Sequence, residues 1–124
     1  MQIETRFEIL TPYLHLYCKG PYEFKEMKNA FEEAFDLARR NELQKILVDV
    51  MELFGKPPTT LERFNLCEYV AELCRQFGKL VYIAVAGEFP IVDRERFGET
   101  VARNRGANGK AFTDLKEAKA WLKV

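Results

Sequence analysis

The stretch KILVDV, residues 45–50, decides the fold together with its counterpart KLVYIAVAG at residues 79–87. Both runs are almost continuously apolar and rich in β-branched residues, which is typical of strands that are covered on both faces. Such strands occur in parallel sheets, where helices cross over from one strand to the next. We therefore predict an α/β protein in which these two strands are neighbours and run parallel.

The residues before KILVDV alternate between apolar and polar side chains, which is the pattern of strands with one wet face. In residues 2–9, QIETRFEI, one side carries Ile3, Phe7 and Ile9. In residues 13–19, YLHLYCK, the predicted inward side chains are Leu14, Leu16 and Cys18, and the predicted outward ones are Tyr13, His15 and Tyr17. Thr11 and Pro12 join the two runs as a turn. We predict a β-hairpin in which His15, the only histidine, is a surface residue.

Helical periodicity fills most of the remaining chain. Helices are predicted at 22–41, 60–77, about 94–104 and 115–123, with a short strand, KAFT, at 110–113. Gly106 supplies the left-handed residue that ends many helices, and Asp114 with Glu117 forms a cap for the last helix. The predicted order is β-β-α-β-α-β-α-β-α, with right-handed crossovers between the parallel strands.

Length and charge restrict the possible classes of protein. A chain of 124 residues suits a single domain, 1–124. Nineteen basic residues balance nineteen acidic ones, which removes the electrostatic argument for a nucleic-acid partner. No apolar run approaches the roughly 20 residues that span a bilayer, so no membrane insertion is expected. The start, MQIETRFEI, lacks the pattern of a signal peptide, and we expect a cytoplasmic protein.

The residues that usually carry chemistry form no recognisable constellation. The chain has no serine, which excludes a serine-based triad, and its cysteines show no spacing to a histidine that suggests a thiol nucleophile. Cys18, Cys67 and Cys74 are interpreted as small buried apolar residues. Without a C-x-x-C pair or a second histidine, no metal or other cofactor is expected. We therefore do not expect an enzyme.

The corner GKPPTTLERF, residues 55–64, follows KILVDV and opens the second long helix. Thr59 and Glu62 fit a capping box, with Thr60 as the alternative cap, and the two prolines keep the helix from starting earlier. Arg63 is not explained in this way, because it lies on the apolar face of the first turn, where the helix dipole opposes a cation. Asp49 is its predicted partner, and we expect the Arg63 guanidinium to be buried or half-buried within reach of Asp49 or Glu52.

Two interpretations of this corner stay open. In one, Arg63 and Asp49 form a structural brace and nothing more. In the other, the corner is a binding site, because open α/β sheets place their sites beyond the carboxyl ends of the strands, beside a helix N-terminus. The candidate ligand- or partner-binding residues are Asp49, Lys56, Thr59, Thr60 and Arg63.

Two segments of the sequence resemble the STAS-like group of small bacterial proteins. These segments are ILVDVMELFGKPPTTLERFNLCEYVAEL and FGETVARNRGANGKAFTDLKEAKAWL, and the resemblance covers nearly the whole chain. The group is similar in fold to the anti-sigma-factor antagonists of sporulation and to the cytoplasmic domains of sulphate transporters. The resemblance implies a STAS-like mixed sheet of four to five strands, an N-terminal hairpin plus parallel strands, covered by four helices.

In the antagonists, the loop after the strand matching KILVDV carries an Asp-Ser-Ser/Thr-Gly motif whose serine is phosphorylated to release a partner kinase. The matching positions here are Pro57, Pro58, Thr59 and Thr60, so the aspartate is missing and Thr59 is the nearest hydroxyl. The resemblance thus implies the fold and the location of an interaction surface, without the phosphorylation chemistry.

Two functions follow as hypotheses. The first is a non-catalytic regulatory or scaffolding module that binds a protein partner or ligand at the strand-helix corner 54–63. The alternative is a protein that binds a small anionic or acyl ligand, including a lipid, in an apolar cleft, with Arg63 or Lys56 holding the head group. The exposed edge of the N-terminal hairpin also makes a homodimer possible.

Overall fold

The computed structural model describes residues 2–92 and 108–124 of the chain. The strands are β1 (Glu4–Leu10), β2 (Tyr13–Pro21), β3 (Lys45–Phe54), β4 (Tyr82–Ala86) and β5 (Asn108–Phe112). The helices in the described ranges are α1 (Phe24–Arg40), α2 (Thr60–Gln76) and α3 (Leu115–Leu122). The further helix predicted at about 94–104 lies outside the described residues.

The five strands form one mixed sheet in the order β1-β2-β3-β4-β5. β1 and β2 pair antiparallel as the predicted hairpin, and each later strand runs parallel to its neighbour. β3 and β4 are therefore adjacent and parallel, with Lys45 opposite Tyr82 and Asp49 opposite Ala86, as the two apolar runs predict.

The two faces of the sheet carry different helices. Alternate β3 residues, Ile46, Val48 and Val50, belong to the core that contains the buried side of α1 and Val70 of α2. Leu47, from the other face of β3, packs in a second core with Ala118 and Leu122 of α3. Successive strand residues point to opposite faces, so each β3 side chain is assigned to one helical layer by its position.

β3 continues beyond its predicted end at Val50. Its pairing with β2 shifts along the way, because Tyr17 lies opposite Asp49 whereas Lys19 lies opposite Glu52. The extra β3 residue in this interval is a β-bulge, which interrupts the regular alternation of side chains. As a result Leu53 is buried in the α1–α2 core, while Glu52 is exposed. The sequence analysis ended this strand at Val50 because residues 51–54, MELF, do not continue the nearly unbroken apolar run of residues 45–50.

Candidate functional site

The carboxyl ends of β2, β3 and β4 meet at one edge of the sheet, beside the start of α2. Thr59 is the N-cap of α2: its hydroxyl accepts from the Glu62 N–H at 3.1 Å, and the Glu62 carboxyl accepts from the Thr59 N–H at 3.1 Å. The predicted capping box is confirmed, with Thr59 rather than Thr60 as the cap. The Tyr22 hydroxyl lies 3.4 Å from the Glu62 carboxyl and links the start of α1 to the start of α2.

Replacing Thr59 by alanine should lower the free energy of unfolding by about 1 kcal/mol, because the Glu62 N–H loses its acceptor. Thr60→Ala is the matched control, since Thr60 is an exposed residue of the first turn and should change stability far less. Urea denaturation followed by circular dichroism measures both variants. Equal losses in the two variants would contradict the assignment of the cap.

Arg63 fastens the loop after β4 to the first turn of α2. Its Nη1 donates to the carbonyl of Ile91 at 2.8 Å, and its Nη2 donates to the carbonyl of Pro90 at 2.5 Å. The side chain is half-buried, as predicted. The predicted partner is wrong, because among the described residues Arg63 bonds to these carbonyls and forms no ion pair with Asp49 or Glu52.

Asp49 lies on the face of the sheet opposite to α2. Its carboxyl accepts from the Met51 N–H at 3.0 Å and lies 3.4 Å from Nε2 of His15. Asp49 is the last β3 residue that pairs with β4, and Met51 lies in the bulge that follows. The carboxyl thus accepts a hydrogen bond from a backbone N–H that the interrupted strand pairing leaves without an acceptor. The predicted Arg63–Asp49 ion pair does not form, because α2 covers the other face of β3.

His15 is buried, contrary to the prediction that it faces solvent. Its side of β2 shares the α3 face of the sheet, and only 2% of the residue is exposed. The imidazole stacks on the Tyr17 ring at a centroid distance of 3.7 Å, and the Arg6 guanidinium also lies over that ring, at 4.1 Å. Nε2 faces Asp49, whereas Nδ1 has no hydrogen-bond partner in the described part of the chain. The alternating pattern missed this burial because it assumed one wet face.

An apolar cavity of about 160 Å³ lies between α1, α2 and the sheet. Its apolar lining includes Met27, Phe31, Leu53, Leu66, Val70 and Ile83. Among the described residues that line it, Arg63 and Lys110 are the charged ones. Engineered cavities of about 150 Å³ with a similar lining bind benzene, so this space fits an apolar group of about six carbon atoms.

The cysteines offer no activated thiol at neutral pH. Cys67 lines the cavity, and burial raises its pKa to about 11. Burial also raises the pKa of Cys74 to about 11 and that of Cys18 to about 12. Because the thiolate is the nucleophilic form, these side chains behave as small apolar residues, and all three are unpaired.

The structure brings together only some of the predicted site residues. Thr59, Thr60, Lys56 and Arg63 belong to the corner, and the first three of these are exposed. Asp49 belongs to the opposite face with His15. Sequence reasoning missed Tyr22 and the carbonyls of the loop after β4, for which no local sequence signal exists.

Three exposed apolar side chains at this edge were also missed. They are Phe54 (52% exposed), Leu61 (67%) and Phe89 (56%). Phe54 ends β3, Leu61 lies in the first turn of α2, and Phe89 precedes the loop carbonyl that Arg63 holds. A helical-wheel projection of α2 contained the signal for Leu61, because at 100° per residue this leucine falls among the polar side chains, on the side away from the apolar face.

Within residues 2–92 and 108–124, no group of three or more His, Cys, Asp and Glu side chains is arranged to hold a metal ion. In the same ranges, no helix has the length and apolar content that a bilayer crossing requires.

No protein-family model matches the chain, and no curated protein matches it in sequence. Comparison of the fold does find similar solved structures. The fold is that of the STAS-like, or SpoIIAA-like, α/β class, as the resemblance in the sequence implied.

Two particular structures illustrate this likeness. One is an anti-sigma factor antagonist from Mycobacterium paratuberculosis, with a TM-score of 0.68 and 13% identity over 99% of this chain and 96% of that one. The other is an uncharacterised protein with a SpoIIAA-like fold from Shewanella loihica PV-4, with a TM-score of 0.53 and 18% identity over 98% of this chain and 94% of that one. At these identities the comparison establishes the fold alone.

Proposed function

We propose that this chain is a non-catalytic regulatory or scaffolding module that docks a protein partner at the corner 54–63 and the adjoining loop 88–92. The observation that carries the proposal is the exposure of Phe54, Leu61 and Phe89 at one edge of the sheet. Exposed apolar side chains at one edge are a feature of many protein interaction surfaces, and aromatic residues are frequent among the anchors of such interfaces.

The corner is held in one shape before any partner arrives. The capping box fixes the start of α2, two prolines stiffen its approach, and Arg63 ties the loop after β4 to the same helical turn. A rigid surface loses little conformational entropy when it binds, so more of the contact energy appears as affinity. Lys56, exposed between the anchors, adds a cation that favours an acidic rim on the partner.

The likeness to an anti-sigma factor antagonist supports a protein as the partner. That protein, by its description, acts on another protein, and it matches this chain along almost its full length. The argument is an analogy between folds, since one fold serves many functions. The exposed anchors of this chain are the independent support.

Site-specific cross-linking tests the proposed surface. The photoreactive residue p-benzoylphenylalanine is placed at Leu61 or, as a matched control, at Leu80, which is also an exposed leucine but lies before β4. Irradiation in cells should give a cross-linked protein from position 61 and none from position 80. Identical products from both positions, or none from position 61, would refute the corner as the docking surface.

The cross-linked partner is then purified and its binding measured by calorimetry. Leu61→Asp should weaken binding at least tenfold, because it places a charge on a side chain that the partner buries in the complex. The variant should melt at the temperature of the wild type, since Leu61 is exposed and an acidic residue suits the first turn of a helix.

A small anionic or acyl ligand is the second candidate, favoured by the apolar cavity beside Arg63. Within residues 2–92 and 108–124 the guanidinium uses one N–H on each Nη for the two loop carbonyls, and its other N–H groups are the donors proposed to bind a carboxylate. A six-carbon acid matches the volume of the cavity. Calorimetric titration with hexanoate should show saturable binding by the wild type that Val70→Phe abolishes, because the larger side chain fills the space. Absence of binding by the wild type would eliminate this candidate for a six-carbon acid.

A further inference from the structure

β1 is an edge strand whose outer side is not blocked by a proline, a bulge or another described element. It lies at one end of the sheet and pairs with β2 only, and that pairing is unbroken from Glu4 to Leu10. The strand contains no proline or glycine and no bulge. Proteins usually shield such an edge by these devices, by short length or by charged side chains, because an open edge is a template for another strand. The charges of β1 shield it from strands that do not match them, but not from one with the complementary pattern. In the described part of the chain, the outer edge of β1 is therefore free to pair.

The charges on β1 are arranged so that the strand is complementary to itself. Glu4, Arg6 and Glu8 alternate along one face, and Phe7 is the midpoint of the seven-residue strand. If a second copy pairs antiparallel about a two-fold axis at Phe7, each residue faces the one equally distant from Phe7 on the other side. Arg6 of each copy then lies opposite Glu8 of the other, which gives two favourable cross-strand pairs.

The neighbouring registers are worse. Pairing centred on Arg6 places Arg6 opposite Arg6 and Glu4 opposite Glu8, and pairing centred on Glu8 places Glu8 opposite Glu8. Pairing centred on Thr5 does match Glu4 with Arg6, but it uses only residues 4–6 of the strand. Among these registers, the one centred on Phe7 combines pairing along the whole strand with unlike charges opposite each other.

We propose that a second copy of this chain binds along β1, antiparallel and centred on Phe7, so that the two five-stranded sheets join into one continuous sheet. In this arrangement Ile9, which is 48% exposed in the single chain, is covered opposite Thr5 of the second copy. A two-fold axis normal to the sheet keeps each face continuous, so the α1–α2 layers of both copies lie on the same side. The strand β1 lies outside the carboxyl-edge corner, which stays open for a partner.

Charge reversal tests both the interface and its register. The dissociation constant of the wild-type dimer is measured by sedimentation equilibrium across the micromolar range. Arg6→Glu and Glu8→Arg each convert both cross-strand pairs into like-charge pairs, and each should weaken the dimer by about tenfold to hundredfold. The double variant Arg6→Glu/Glu8→Arg restores unlike charges and should recover most of the affinity.

Mixing the two single variants gives a sharper test. In the mixed dimer of Arg6→Glu with Glu8→Arg, positions 6 and 8 of one chain are both acidic and those of the other are both basic, so unlike charges face each other. Native mass spectrometry should therefore show this heterodimer in excess of either homodimer. Circular dichroism on each variant confirms that the fold is retained. A wild type that stays monomeric across the concentration range would overturn the proposal. A dimer whose affinity is insensitive to both substitutions, or a mixture with no preference for the heterodimer, would overturn it equally.

Discussion

Replacing Asp49 by alanine should lower the free energy of unfolding by about 2–4 kcal/mol, the largest single effect expected in this protein. The carboxyl is nearly fully buried and serves two groups at once, the Met51 N–H in the bulge and Nε2 of His15. Alanine removes both acceptor oxygens, and each buried donor left unsatisfied costs about 1–3 kcal/mol. The cost falls on folding, because Asp49 is not part of the corner.

Two further variants separate the contributions to this loss. Asp49→Asn keeps an oxygen for the Met51 N–H and should lose less stability than alanine. Glu52→Ala is the matched control for charge, because Glu52 is an exposed acid on the same strand and should change stability by less than about 0.5 kcal/mol. Urea denaturation followed by circular dichroism compares the three. If Asp49→Ala is as stable as Glu52→Ala, the buried network contributes nothing to the fold.

Replacing Arg63 by alanine should lower stability by about 2 kcal/mol and free the loop after β4. Hydrogen bonds from a charged donor are worth about 1.5–3 kcal/mol each, but part of that is discounted here because the group is half-exposed and water can replace it. The physical reason for the loss is the fork of the guanidinium, which reaches the carbonyls of Pro90 and Ile91 together. Arg63→Lys should recover less than half of the loss, since an ammonium group lacks that fork.

Limited proteolysis measures the release of the loop directly. Cleavage within residues 88–92 should be faster in Arg63→Ala than in the wild type, while Lys56→Ala, which removes an exposed cation of the same corner, should match the wild type. Hexanoate titration of Arg63→Met then distinguishes a structural clamp from a head-group site. Unchanged cleavage in Arg63→Ala would show that the clamp does not hold the loop.

The fold was predictable because its main signals are local. The apolar runs at 45–50 and 79–87 identified two parallel central strands, and the capping box at Thr59 located the start of α2 to within one residue. Hairpin alternation identified β1 and β2 for the same reason. In each case the residues that carry the pattern are neighbours in sequence, even where the strands they form, such as β3 and β4, pair across an intervening helix.

The site was less predictable because its geometry depends on faces and registers. Asp49 and Arg63 were both correctly placed near the carboxyl edge, yet alternation along β3 put Asp49 on the side away from α2. His15 was assigned to solvent because the pattern of β2 alone does not show that Tyr17 stacks on it. The groups that bind Arg63 are backbone carbonyls, which every residue has, so no residue type in the sequence predicts this contact.

The length of β3 has a consequence for local motion. Its last partner on β4 is opposite Asp49, so residues 50–54 extend past β4. Of these, 50–51 lie in the bulge, and 52–54 pair on one side only, with the end of β2. Backbone amides in such a projection exchange with solvent through small local openings, whereas those at 46–49 must wait for much larger ones. Residues 50–54 end in Phe54, one of the proposed anchors, so hydrogen exchange there should slow when a partner covers the corner. Hydrogen exchange at the end of β3 thus offers a measurement of partner binding at the corner.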